Sequence, residues 1–358
     1  MYRYVVHFES SDGGIDCAEP LATQDLAPIV EDARFCALRQ GLIEDGTGDY
    51  SVRPLLVNPN RGSDSDVLLV AGFEVRVAAK DGGPGFKKNY WLSNLRQLAL
   101  EKLRRVNHRE SKIATSSEVR YWLQARPEAT SEAEKQEVLL NKLDYLRHSD
   151  FPVEALRVRL KEPVRGGAII WSTLMEPYPL FMPRDVLSHM RALSVRDLTR
   201  EVAGFLVGEV FRHPITGEIF GVVLDSIPAR THRATQTSVH LDGETWQAFY
   251  DEKQVRYPGA HLMGWWHSHP FEAKANDCGG SAADPNGCSG QVEDPANGTA
   301  GRASTLFLSE QDLFIHRRFF SAPYCVCVVV DPRAVPGQDI AIYGWYEALV
   351  CSRNAYLL

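Results

Sequence analysis

Two histidines one residue apart, His267-Ser268-His269, close an apolar run that begins His261-Leu-Met-Gly-Trp-Trp266. In an extended strand, residues two apart project from the same face, so both imidazoles would point at one spot. A neutral imidazole offers a nitrogen lone pair, and catalytic zinc takes three N or O protein ligands at ~2.0–2.2 Å with a fourth position left open. Asp312, in Leu308-Ser309-Glu310-Gln311-Asp312-Leu313, would complete such a set. Alone, a His-x-His pair is a weak signal, because most such pairs are core or surface histidines that happen to alternate. Rival chemistries leave no trace: the chain has no Gly-x-Ser-x-Gly elbow, phosphate loop, dinucleotide-binding turn or His-Glu-x-x-His helix.

Four segments in order carry a family resemblance. Glu201-Val-Ala-Gly-Phe-Leu-Val-Gly208, Gly264-Trp-Trp-His-Ser-His-Pro270, Ser309-Glu-Gln-Asp312 and Val328-Val-Val-Asp-Pro332 together resemble the JAMM (MPN+) metalloprotease family. Its signature is a Glu ahead of a hydrophobic, Gly-ended strand, then His-Ser/Thr-His-Pro, then Ser-x-x-Asp. The likeness spans about 178–358 and implies an α/β, MPN/JAB (cytidine-deaminase-like) domain, a mixed sheet flanked by helices. It implies Zn2+ on His267, His269 and Asp312, with Glu201 as the base that deprotonates water and then protonates the leaving amine. Ser309 would donate a hydrogen bond to the developing oxyanion. Glu209, one residue past Gly208, does not match the family's glutamate, and Glu310 is expected to face solvent.

The implied activity is cleavage of a peptide or isopeptide bond at the C-terminal tail of ubiquitin or a ubiquitin-like protein. Both deconjugation and precursor maturation fit, as in prokaryotic ubiquitin-like and antiphage systems where E1-like and E2-like enzymes are partners. The alternative is an inactive MPN-type scaffold or binding module that assembles partners through its N-terminal domain. Scaffold members typically lack a ligand, whereas all five positions are filled here. Phe271 to Leu308 is 38 residues, far more than the family's spacing, and most belong to a Gly-rich stretch. Loop length costs only ~0.6 kcal/mol per doubling, so its ends can still meet. Phe271–Thr305 is expected to act as a lid or partner-binding loop, with a flexible insert at about 275–303.

These motifs need a scaffold, and the 358 residues suffice for two domains. Residues 1–127 read as α+β: Tyr2–Phe8 and Val67–Val77 have strand composition, and Leu92, Leu95, Leu98, Leu103 and Val106 predict a helix over about 90–106. A helical connector over 128–170 follows, opened by a capping box at Ser131-Glu-Ala-Glu134. In 171–358, strands are expected at 168–171, 180–182, 204–211, 220–227, 261–266, 324–330 and 340–346. Helices are expected after Pro183 and over 244–255, the latter burying Trp246, Phe249 and Tyr250.

The formal charge of −7 argues against nucleic acid as main partner. One local exception is 87–112, with eight Lys/Arg against two Glu, read either as a solvated helix face or as a docking face for an acidic partner. Seven scattered cysteines suggest no disulfide framework; Cys278 and Cys288 read as loop thiols and Cys325 and Cys327 as small core residues. His316, four residues past Asp312, reads either as support behind a ligand or as a surface residue. With no signal-peptide pattern and no long apolar run, a cytoplasmic protein without membrane partners is expected.

Overall fold

The computed structural model describes residues 2–10, 16–43, 49–57, 68–79, 82–110, 119–127, 147–148, 179–212, 219–230, 233–235, 238–271, 305–353 and 355–357. The capping box, the strand at 168–171, the insert at 275–303 and all but 147–148 of the connector lie outside them. The chain is mixed α/β and divides into two compact units. One is Met1–Asp144 with Ser321–Pro323 and Glu347–Leu349; the other is Tyr145–Phe320 with Tyr324–Tyr346 and Val350–Leu358.

Among its described residues, the first unit is an antiparallel sheet with two α-helices. Its strands are β1 (Tyr2–Ser10), β2 (Asp16–Pro20), β3 (Tyr50–Leu56), β4 (Leu68–Val77), β5 (Phe86–Trp91) and β6 (Val119–Pro127), in the order β2-β1-β6-β4-β3 with β5 also on β4. Helix α1 (Ala27–Arg39) packs on β4 and β5, and α2 (Arg96–Glu110), entered through a 3₁₀ turn at Leu92–Leu95, packs on β1 and β2. Much of the 87–112 charge is spent inside this unit. Lys102 is buried against Asp25 at 2.6 Å and donates to the Pro20 carbonyl, Lys88 meets Asp32 at 2.9 Å, Lys87 meets Glu74 at 2.6 Å, and Arg105 pairs with Glu101. Lys102 and Lys88, whose side chains are 5% and 23% exposed, fit neither the solvated-face nor the docking-face reading, whereas Lys87, 56% exposed, and Arg105, paired along the helix, stay on a solvated face.

The second unit is built on a mixed sheet. Its strands are β7 (Arg147–His148), β8 (Leu180–Met182), β9 (Ala203–Arg212), β10 (Ile219–Pro228), β13 (His261–Ser268), β14 (Val326–Val330), β15 (Ile340–Tyr346), β16 (Leu349–Ser352) and β17 (Tyr356–Leu357). A separate ribbon pairs β11 (Arg233–Ala234) with β12 (Val239–His240). The sheet order is β16-β15-β14-β13-β9-β10-β8-β17, with β7 against the end of β9. All five residues of β14 are buried, as a parallel pairing with both faces covered requires. Its described helices are α3 (Arg184–Arg196), α4 (Gly243–Arg256) and α5 (Glu310–Phe319). Asp242 caps α4 by accepting from the Thr245 amide at 2.9 Å. Phe249 is buried under α4, but Tyr250 is 51% exposed, so only part of the expected aromatic face enters the core. No helix among the described residues is long and apolar enough to cross a membrane.

One bulge sets the faces of the central strand. Leu262 pairs with Val207 and Gly264 with Leu206, leaving Met263 without a counterpart on β9. A bulge of this kind exchanges the faces of every residue beyond it, so it decides which side Trp265 and His267 take. It is possible because Gly264 adopts φ +137°, where a Cβ would lie 1.9 Å from the Val326 carbonyl oxygen. Gly204 serves a close approach instead: a Cβ there would meet the Trp266 indole nitrogen at 2.4 Å. Gly264→Ala is expected to destabilise the protein by ~3 kcal/mol or more. Chemical denaturation with the conservatively changed Ala260→Ser as control checks this; an unchanged midpoint for Gly264→Ala would refute the steric account.

Candidate metal centre

Strand pairing brings the sequence-distant residues together. His267 lies opposite Ala203 in the β9–β13 ladder, which places Glu201, two residues earlier, beyond the end of β9 beside His269. Ser268 locks this junction from the opposite face of β13. Its Oγ accepts from the Val202 amide at 2.9 Å, and its own amide donates to the Val202 carbonyl at 2.8 Å. The Glu201 amide donates to the Thr235 carbonyl and the His269 amide to the Val330 carbonyl, both at 2.8 Å. Strand ends therefore fix the backbone on both sides of the histidines.

Asp312 arrives on the first turn of α5. Ser309 is the N-cap: its Oγ accepts from the Asp312 amide at 3.2 Å, while the Ser309 amide donates to Asp312 Oδ2 at 2.7 Å. Ser-x-x-Asp is thus a reciprocal cap that also aims the carboxylate. Glu310, next to the cap, is exposed as expected.

The side chains converge. Nε2 of His267 and Nε2 of His269 are 3.0 Å apart, and Asp312 Oδ2 lies 3.4 Å from the first and 3.9 Å from the second. Glu201 Oε1 is 3.9 Å from His269 Nε2. Exposure is 0% for His267, 2% for His269, 3% for Asp312 and 2% for Glu201. Among the described residues, His267, His269 and Asp312 are the one group of three His, Cys, Asp or Glu side chains that could hold a metal ion.

The donor chemistry suits a metal. His269 Nδ1 lies 2.6 Å from the Thr305 carbonyl oxygen, which can only accept, so Nδ1 carries the hydrogen and the neutral ring's Nε2 carries a lone pair. His267 Nδ1 faces Cys327 Sγ at 3.7 Å. A tetrahedral ion with ligands at ~2.0–2.1 Å spaces them by about 3.3–3.4 Å. The three observed separations bracket that spacing. Two imidazoles and a carboxylate are N and O donors that fit zinc, among other divalent ions.

Without an ion, a proton must do part of the same work. Burial disfavours the His267 cation, but Asp312 and then Glu201 more than offset this and raise its pKa. Burial also opposes an ionised Asp312, yet His267, by charge and hydrogen bond, holds that carboxyl down at about 2. His269 is pushed down to about 4 by burial and then by His267. Glu201 is pushed up to about 8, by burial first and by Asp312, with His267 opposing. A cation on the three ligands would lower the Glu201 pKa again, since opposite charge favours the ionised form.

No protein-family model matches the sequence, and no curated protein matches it significantly. The likeness to JAMM proteases rests on the ordered motif residues.

All five expected site residues lie in this region of the second unit. Sequence reasoning missed their supports. Thr305, placed in the expected lid, is fully buried: its carbonyl orients His269, and its Oγ1 donates to Asp331 at 2.5 Å. Phe271, at the lid's other end, lies 4.9 Å from the His269 ring. Both ends of the expected loop therefore belong to the site's wall. Cys327 is buried as expected but also adjoins a ligand, and His316 is fully buried, which excludes its surface reading. No local pattern announces a carbonyl or a thiol in these roles.

A raised carboxyl pKa has a stability consequence in the metal-free protein. Between the unfolded value near 4.5 and the folded value of about 8, the folded chain holds a proton that the unfolded chain has lost. Stability therefore falls as pH rises through that window and levels off above it. Chelator-stripped Glu201→Gln, which removes the titration, is expected to be more stable than wild type at pH 8.5 by a few kcal/mol, with the gap closing toward pH 4.5. Urea midpoints across pH check this; a gap independent of pH would contradict it.

Proposed function

We propose that the chain is a zinc-dependent peptidase or isopeptidase of the JAMM type, with an MPN/JAB-like second unit. The observation that carries the reading is the convergence of two imidazole nitrogens and a carboxylate oxygen within 3.9 Å of one another, below the surface, with a second carboxylate 3.9 Å from His269. His267, His269 and Asp312 would hold the metal, which when bound supplies Lewis acidity that polarises a carbonyl and makes water acidic near neutral pH. Glu201 takes the proton of the attacking water and delivers it to the leaving amine. Its burial and its place 3.9 Å from His269 Nε2 suit a carboxylate that takes a proton at one step and gives it up at the next. Ser309, besides capping α5, offers its hydroxyl hydrogen to the carbonyl oxygen as charge develops there.

The substrate follows from the motif resemblance together with the burial. Ligands that are 0–3% exposed favour a scissile bond presented on a slender, unfolded segment over one on the surface of a folded protein. The C-terminal tail of a ubiquitin-like protein, free in a precursor or joined to a target, is such a segment. E1-like and E2-like enzymes would then be fellow members of a cytoplasmic system. The scaffold reading has less support. It relied on basic docking charge in the N-terminal unit, and four of those cations are already paired.

Metal analysis of the purified protein, with cleavage of ubiquitin-like fusions located by mass spectrometry, tests the reading. Stoichiometric zinc is expected, chelation should abolish cleavage, and zinc should restore it. Glu201→Gln should keep its metal and lose ~10²–10⁴-fold in kcat. Cleavage by Glu201→Gln at the wild-type rate would overturn the assignment.

A further inference from the structure

The two histidines are oriented by different means. His269 has a 2.6 Å bond from Nδ1 to a backbone carbonyl, the partner usual for a metal-binding imidazole. At Nδ1, His267 faces, among the described residues, the Cys327 sulfur at 3.7 Å, a weak partner that constrains ring orientation poorly. Something else must fix its plane. The Trp265 ring lies parallel to it, with centroids 4.6 Å apart and an interplanar angle of 16°. Trp265 is itself tethered, because its Nε1 donates to His316 Nδ1 at 3.3 Å and its other neighbour Phe320 is stacked at 5.9 Å and 13°.

His316 is an expensive residue to place there. It is fully buried between Phe320 and Trp345, and its Nε2 has no hydrogen-bond partner among the described residues. Burial, then Arg317 and Arg353, lowers its pKa to about 3, so the ring is neutral with its hydrogen on that partnerless Nε2. A phenyl ring would bring no polar group into this pocket, and what it would lack in return is the Nδ1 acceptor that receives the Trp265 indole N–H.

We propose that Trp265 and His316 are a positioning pair: His316 holds the indole, and the indole sets the plane of the His267 ring and with it the affinity of the centre for its metal. The inference rests on the metal-centre reading above. It makes stability and metal affinity separable, which packing alone would not. His316→Phe exchanges one partnerless N–H, that of His316, for another, that of Trp265, so the metal-free protein should melt within a few degrees of wild type. Its zinc Kd should nevertheless rise ~10-fold, the lower end for residues that orient a ligand.

The full-length chain, stripped of metal, is titrated with zinc against a chromophoric chelator and with Co2+ by visible absorption. Trp265→Phe keeps a stacked ring but loses the tether, and should weaken zinc and shift the cobalt bands as His316→Phe does. The double variant should be no weaker than either single, since the two act as one unit. Phe220→Leu, in the aromatic cluster with Phe181 and Tyr356, is the packing control. It should lower the melting temperature and leave Kd and the cobalt spectrum unchanged. Wild-type Kd and spectrum in folded Trp265→Phe and His316→Phe would overturn the proposal while leaving the metal centre intact. A wild-type protein that takes up neither zinc nor cobalt would overturn both. If His316→Phe does not fold, Trp265→Phe decides.

Discussion

Three electron-rich atoms within 3.0–3.9 Å of one another repel, and burial removes the water that would screen them. A chain left to itself would turn such side chains apart. They stay together because each is held by a neighbouring group that is itself fixed. Thr305 holds His269, the Ser309 amide holds Asp312, and the ring of Trp265 lies against His267. Each support is in turn anchored to regular structure: Thr305 to Asp331 just past β14, Ser309 to the first turn of α5, and Trp265 to β13. The scaffold opposes the repulsion so that a cation, or a proton on His267, can relieve it.

That logic makes register the sensitive quantity. Because side-chain direction alternates along a strand, a one-residue slip between β9 and β13 would move both histidines to the other face and take Glu201 out of reach. Three features pin the pairing near the site: the bulge at Met263, the two hydrogen bonds between Ser268 and Val202, and the fit of Trp266 over Gly204. The residue between the histidines is thus no passive spacer. Ser268 faces away from the histidine rings and ties the end of β13 that carries them to Val202, next to Glu201.

Residue type and spacing made the reactive groups legible, because ligation needs particular side chains and a strand or a helix cap fixes their separation. His267, His269, Asp312 and Glu201 could be chosen this way, and β9, β13, β15 and α4 fall close to where periodicity placed them. Their supports were not legible. A backbone carbonyl is present at every residue, so nothing marks Thr305, and Cys327 on an all-apolar strand reads as filler until its neighbour across the sheet is known. Tyr250 misled for a related reason: spacing gives the width of an apolar stripe but not of the surface that receives it. Phe249 fills the contact, and Tyr250 lies at its rim.

Charge was the least legible property, and the first unit shows why. Lys88 and Lys102 look like parts of one positive run, yet their partners Asp32 and Asp25 lie on or just before α1, far back in the sequence. A local excess of charge describes a surface only if nothing distant neutralises it, and topology decides that by setting helix and strand side by side. The second unit reverses the case. Asp312, Glu201 and the two histidines are scattered in sequence and show no local excess, yet the fold buries them together, and His267 and Asp312 shift each other and both of the remaining groups. Sequence-local charge therefore overstates the first unit as a docking surface and understates the second as a chemical site. Mutual perturbation of buried groups is what marks the place where protons can be moved.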